Sequence, residues 1–224
     1  MFFIKLLVCS AVLTLLCATT QGMATNRISL PKTASPGEVT LAEALRERRS
    51  VRAYAEEPLT LDQVARLLWA AQGSNAPSGL RTAPSAGALY PLEVLLVAGN
   101  VSELQAGVYR YHPRHHVLEL IAEGDHRGRI AEAALGQSWM ADAAAMLVIT
   151  AVYERTTWKY GHRGKRYVHI EVGHAAQNAL LQAAALDLGA GVVGAFDDSA
   201  VARILALPAS EHVLYLLPIG RAAD

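Results

Sequence analysis

The stretch YVHIEVGHAAQNALLQAAALDL, Tyr167 to Leu188, runs directly into Gly189-Ala-Gly-Val-Val-Gly-Ala-Phe196 and decides the fold. Apolar residues recur along its first part at helical spacing and Gly189 supplies a stop, so it predicts the longest helix of the chain. His174, Gln177, Asn178 and Gln182 interrupt the apolar surface, which makes this a central core helix and not a membrane span. After Gly189 the helical period disappears, and Val192 to Phe196 reads as a strand. A long buried helix leading into a strand requires a sheet for it to cover.

Working outward, Leu92 to Ala98 and Ala145 to Val152 are short continuous apolar runs and predict buried strands. Val108 to Tyr111 and Val117 to Ile121 flank a turn at Pro113 and predict a hairpin; Val213 to Ile219 predicts a last strand. Thr40-Leu-Ala-Glu43 and Thr60-Leu-Asp-Gln63 are capping-box patterns that each open a helix. Arg127 to Leu135 and Ser199 to Leu207 read as further helices. Strands and helices mix without a regular βαβ alternation. This favours an α+β fold, with a central mostly antiparallel or mixed sheet flanked by helices.

With 224 residues, 52% of them hydrophobic and 18% charged, the chain can bury a sizeable core. Its formal net charge is zero, so no global field draws it to nucleic acid or anionic lipid. Residues 1–24 form a separate object. Lys5 precedes an apolar run from Leu6 to Leu16 and then small residues, the order of a secretory signal peptide. Cleavage after Ala24 or Gly22 fits, Cys17 raises a lipoprotein reading, and a start at Met23 would instead leave the protein cytoplasmic. Signal removal predicts an exported protein, periplasmic or secreted, with no stable membrane span. Cys9 and Cys17 are the only cysteines, so the mature chain is expected to hold no disulfide, thiolate nucleophile or cysteine-bound metal. Residues 25–39 read as a linker or arm, and residues 40–224 as one domain.

Familiar catalytic patterns are missing. There is no G-x-S-x-G elbow, no G-x-G-x-x-G opening a helix and no P-loop. His112, His115 and His116 lie in a polar hairpin turn without a carboxylate cluster, and Glu171-Val-Gly-His174 lacks the second copy that a di-iron site needs, so no metal site is expected. Three other segments carry more. Arg48-Arg49-Ser50-Val51-Arg52 sets three guanidiniums and a hydroxyl within five residues, a compact anion site or else a solvated basic turn. Arg81-Thr-Ala-Pro84-Ser85-Ala86-Gly87-Ala-Leu-Tyr90-Pro91 is a small-residue loop that lets backbone approach a flat ligand. Gly191-Val-Val-Gly194-Ala195-Phe196-Asp197 is a strand end where a ring could lie on bare backbone.

Together these segments resemble the FMN-dependent nitroreductase family, and within it the SagB-type dehydrogenases that include azoline oxidases. The R-R-S-x-R-x-Y turn, the A-P-S-A-G-A-x-Y-P loop and the G-A-F-D strand end occur in the family's order. The K-Y-x-x-R-x-x-R-Y run and the following E-x-G-H-x-x-Q-N, between Arg155 and Asn178, belong to the SagB branch. The likeness extends from Leu41 to Gly220.

The resemblance implies a nitroreductase fold and a homodimeric FMN oxidoreductase working by ping-pong hydride transfer at flavin N5 to or from a small organic substrate. It implies that Arg48, Arg49, Ser50 and Arg52 hold the FMN phosphate and the pyrimidine side of the ring. Pro84, Ser85, Ala86 and Gly87 would line the isoalloxazine, commonly from the other subunit. Gly194 and Ala195 would present a backbone N–H toward N5, Gln137 an amide toward the ring or ribityl chain, and Arg221 a further phosphate contact. Lys159 and Tyr160 match a pair implicated in proton removal in azoline-oxidising relatives, where burial would make the lysine a base. They also read as part of a basic surface loop with Arg163, Lys165 and Arg166. NAD(P)H is the donor of many relatives; an exported enzyme meets little of it, which leaves dioxygen or a partner reductant open. An azoline oxidase acting on a modified peptide, and a non-catalytic flavin-binding or scaffold protein, are the alternatives.

Overall fold

The computed structural model describes residues 26–32 and 39–223; the expected signal peptide lies outside the described residues. Seven strands form one sheet in the order β1-β4-β3-β2-β5-β7-β6. They are β1 (Arg27–Ser29), β2 (Leu92–Ala98), β3 (Gly107–His112), β4 (Val117–Glu123), β5 (Ala145–Ala151), β6 (Gly189–Ala190) and β7 (His212–Gly220). All six neighbouring pairs are antiparallel. The α+β reading holds.

The sheet is buried on both faces because its central strands alternate two apolar sets. Val94 and Leu96 of β2 with Leu147 and Ile149 of β5 meet one helical layer. That layer contains α1 (Leu41–Glu47), α2 (Leu61–Gln72) and α6 (Arg163–Ala185). Leu95 and Val97 with Met146 and Val148 meet the other. There lie α3 (Arg127–Ala133), α4 (Trp139–Asp142) and α7 (Asp198–Ile204). Two-sided burial explains why β2 and β5 read as continuous apolar runs and not as alternating ones. Thr40 and Thr60 both close capping boxes, with Glu43 and Gln63 answering from the third helical position.

Some expectations need correction. Within the segment read as a linker or arm lies an unexpected strand, β1, whose Arg27, Ile28 and Ser29 pair with Glu119, Leu118 and Val117 at the sheet edge. Three residues are too few to show a period, so backbone pairing places this strand. The expected strand Val192–Phe196 is reduced to a single bridge, Val193 to Leu216, after the shorter β6. The stretch from Lys159 to Arg166 is two helices joined by a short turn at Gly161 and His162 instead of one loop. Lys159 lies in the last turn of α5 (Glu154–Tyr160), and Arg163, Lys165 and Arg166 lie in the first turn of α6.

Candidate active site

The arginine turn is built against the β6–β7 edge. Ser50 bridges Ala190, and the Val51 amide donates to the Ala190 carbonyl at 3.0 Å. The Tyr54 hydroxyl lies 3.0 Å from the Val51 carbonyl and 2.9 Å from that of Pro218, so it pins the turn to β7. Two glycines permit this approach. A β-carbon on Gly189 would stand 2.7 Å from Val51 Cγ1, and one on Gly191 would stand 2.8 Å from the Val51 carbonyl oxygen and 3.0 Å from the Trp139 ring. Arg52 lies over that ring at 5.8 Å, a cation–π contact. A cavity of about 230 Å³ opens beside the turn, lined among others by Arg48, Arg49, Val51, Gly189, Ala190 and Asp187.

The strand end lies further along β7 from this turn: Val193 bridges Leu216, and Tyr215, beside Gly194, pairs with Ile149 of β5. Gly194 and Ala195 are exposed, and a β-carbon on Gly194 would meet only Tyr215, at 3.8 Å, so flat backbone faces outward there. Gln137 donates from Nε2 to the carbonyls of Ala134 at 2.8 Å and Ala195 at 3.3 Å, which places it beside that strand end. Arg221 reaches this cavity through Asp187, one of its lining residues. It pairs with Asp187 at 2.5 Å and Glu57 at 3.4 Å. Arg49 in turn donates to the carbonyls of Arg46 and Arg48.

The second half gathers around the small-residue loop. Ala86–Ala88 form a 3-10 turn in which Gly87 has φ +64°, and Ala88 and Tyr90 also adopt positive φ. Non-glycine residues pay a steric penalty in that region, so neighbours must hold them there. The Tyr90 amide donates to Ser85 Oγ at 2.9 Å, and the Ala88 amide to the Ser85 carbonyl at 3.0 Å. Arg81 covers the Tyr90 ring at 4.7 Å while its Nη1 donates to Gln72 Oε1 and the Leu92 carbonyl. Pro84 and Ser85 precede this turn, and their loop leads into β2.

Lys159 and Tyr160 meet this loop. A β-carbon on Gly87 would stand 2.8 Å from the Tyr160 hydroxyl and 3.1 Å from Lys159 Nζ. Lys159 lies 5.5 Å over the Tyr160 ring, and Tyr160 packs edge-on against Tyr167. Lys159 is exposed in the single chain, so the burial expected from sequence is not supplied by its own fold.

Beneath the loop, Glu171 of α6 is 2% exposed and its Oε1 has no partner among the described residues. Burial pushes its carboxyl up to about 7, against the opposing pull of the Ser85 hydroxyl and the Arg81 guanidinium. The sequence offers Glu171 only as a metal ligand, a role excluded for want of a second copy, and gives no role to Trp139 or Arg155. Glu171 was visible within E-x-G-H-x-x-Q-N, but nothing local marks it as buried.

The two halves lie at opposite ends of the sheet. The arginine turn sits where Gly220 approaches Ala144 and Tyr54, before β5 begins. The loop sits where Leu92 pairs with Ala151 and the Val152 amide donates to the Pro91 carbonyl, at the end of β5. A seven-residue strand separates them by about 20 Å. Helix α6 spans the same gap: its start packs on α5, and Leu180 and Ala184 near its end line the arginine cavity. Among the described residues no helix is long and apolar enough to cross a membrane.

Comparison with known proteins agrees with this architecture. The model of the Nitroreductase family matches residues 45–221. A Methanocaldococcus jannaschii protein bearing a nitroreductase name is 45% identical over 187 residues, covering 84% of this chain and 93% of that protein. A crystal structure named as a nitroreductase from Ralstonia eutropha superposes with a TM-score of 0.80 at 32% identity, over 91% of this chain and 92% of the other. The microcin B17-processing protein McbC of Escherichia coli is 34% identical over 155 residues, 66% of this chain and 57% of McbC. The chain belongs to the nitroreductase family and is an oxidoreductase of that family.

Proposed function

We propose that the chain is an FMN-dependent oxidoreductase whose active sites are each assembled from two copies of it. The observation that carries this reading is the separation of the two halves. The cavity beside Arg48 and Arg49, about 230 Å³, falls below the roughly 300–1,000 Å³ of ordinary ligand sites. It suits a phosphate end, while the small-residue loop expected along the ring lies on the first half and middle of α6. There Ser85 meets Glu171 and Asn178 donates to the Thr82 carbonyl, and the loop reaches Lys159 and Tyr160 of α5 through Gly87. A two-fold axis across the middle of α6 exchanges its ends, bringing the loop of one copy to the arginine turn of the other. The outer face of α6 suits such contact. Ile170, Gly173, His174 and Gln177 are exposed on it, and Leu41 and Leu45 are exposed on the adjacent α1.

The residues fit FMN. Arg48, Arg49, Ser50 and Arg52 would bind the phosphate and the pyrimidine side, and Arg221, paired with Asp187 of the same cavity, would add a further phosphate contact. The open backbone at Gly194 and Ala195 would support the ring, with Gln137 fixing that strand end. Pro84, Ser85, Ala86 and Gly87 would close over it from the partner. FMN, when bound, supplies hydride acceptance and donation at N5 in a ping-pong cycle with a small organic substrate. Lys159 and Tyr160, brought to the same place by Gly87, would hold or move a proton of the substrate, and closure of the dimer would exclude water around them. NAD(P)H, dioxygen or a partner reductant would complete the cycle, and an exported location belongs to the same proposal.

The likeness to McbC favours a second reading, oxidation of an azoline in a modified peptide by the same pair. Flavin occupancy together with molecular mass in solution tests the main reading. One FMN per chain in a dimer supports it; a flavin-loaded monomer contradicts the two-copy site.

A further inference from the structure

Arg155 lies in the first turn of α5, four residues before Lys159, and its guanidinium reaches two partners outside that helix. It pairs with Glu93 Oε1 of β2 at 2.6 Å and donates to the Tyr90 carbonyl at 3.3 Å. Glu93 also faces Arg110 at 3.8 Å, and Arg110 makes a two-pronged pair with buried Glu211 at 3.1 and 2.9 Å. Glu211 Oε1 in turn accepts from Thr150 Oγ1 at 2.5 Å. A polar chain thus runs across β3, β2 and β5 and ends on Tyr90, a residue with φ +47°.

Tyr90 is held from every side: its amide by Ser85, its ring by Arg81, its carbonyl by Arg155. Only the last of these contacts comes from the helix that carries Lys159 and Tyr160. We infer that Arg155 is a positioning residue, joining the Lys159–Tyr160 helix to the strained Gly87–Tyr90 turn so that the pair keeps its place beside Gly87. Its importance for turnover rests on the function proposed above; its mechanical role does not. Side chains of Arg155 and Glu93 are 41% and 18% exposed, so the pair adds little to global stability. Its loss should therefore loosen the turn without unfolding the protein.

Amide hydrogen exchange on the full chain, without added flavin, tests this directly. In Arg155→Ala the amides of Ala88 and Tyr90 should exchange about tenfold faster or more, while those of β2 and the middle of α6 stay unchanged. Arg155→Lys, which keeps the charge and one reach, should recover part of that protection. With FMN bound and NADH as donor, Arg155→Ala should shift the pH profile of nitrofurazone reduction and lower kcat more than it raises KM. Unchanged exchange at Ala88 and Tyr90, or a uniform rise throughout the chain, would overturn the inference. So would an unchanged pH profile in a flavin-loaded variant whose turn has loosened. A wild-type chain that takes up no FMN would overturn the proposed function and leave the exchange result to stand alone.

Discussion

The Tyr160 hydroxyl stands 2.8 Å from the point where a β-carbon on Gly87 would sit. Glycine at this position therefore does two things: it accommodates a φ of +64° and it leaves space for the tyrosine and for Lys159. The contact unites a small-residue loop and a charged helix end that are far apart in the sequence.

Gly87→Ala should consequently be costly in both respects. The left-handed backbone alone costs about 1–2 kcal/mol, and the methyl must displace Tyr160 or Lys159. Thermal melting should register the first effect. Slower turnover per bound FMN should register the second.

The arginine turn has a separate signature. Arg48→Ala with Arg52→Ala should leave the circular dichroism spectrum recognisable, because neither side chain belongs to the core. Each lost charged contact should weaken FMN by about 10- to 100-fold, read from flavin retained after gel filtration.

Glu171 makes stability depend on pH. Its carboxyl keeps a proton up to about 7 in the folded chain, against 4.5 for an ordinary glutamate. The protonated form thus supports folding fully below about pH 4.5, and this support fades as the pH rises to about 7. Glu171→Gln, which cannot ionise, should be more stable than wild type at pH 8 by about 1–3 kcal/mol. At pH 4.5 the two should melt together. Parallel melting curves at both pH values would show that the carboxyl is not desolvated.

Much of this fold is readable from the chain, for a physical reason. Leu92–Ala98 stands as a strand with the bounds expected from sequence, since burial on both faces forces a continuous apolar run. Thr40 and Thr60 announce their helices because capping is local chemistry. What escapes is set by partners distant in sequence. Arg27–Ser29 becomes a strand only because β4 is there to pair with, and α5, a seven-residue helix with Thr, Trp and Tyr, shows too little period to separate from loop. The site divides in the same way. The motif residues were visible, yet the engagement of Arg221 by Asp187 and the grip of Arg155 on Tyr90 depend on tertiary contacts that no spacing encodes.

The two-copy site makes a demand on the outer face of α6. Ile170 is 50% exposed in the single chain, so Ile170→Asp should change the stability of a monomer by no more than about 0.5 kcal/mol. It should nonetheless divide the dimer, seen as a halved mass by light scattering, and release FMN with it.

The central claim is tested most directly by recording the visible absorption spectrum together with the mass of the purified mature protein, before and after adding FMN and removing the excess. The account expects flavin bands at one FMN per chain, travelling with a dimer. A protein that stays colourless after added FMN would contradict it.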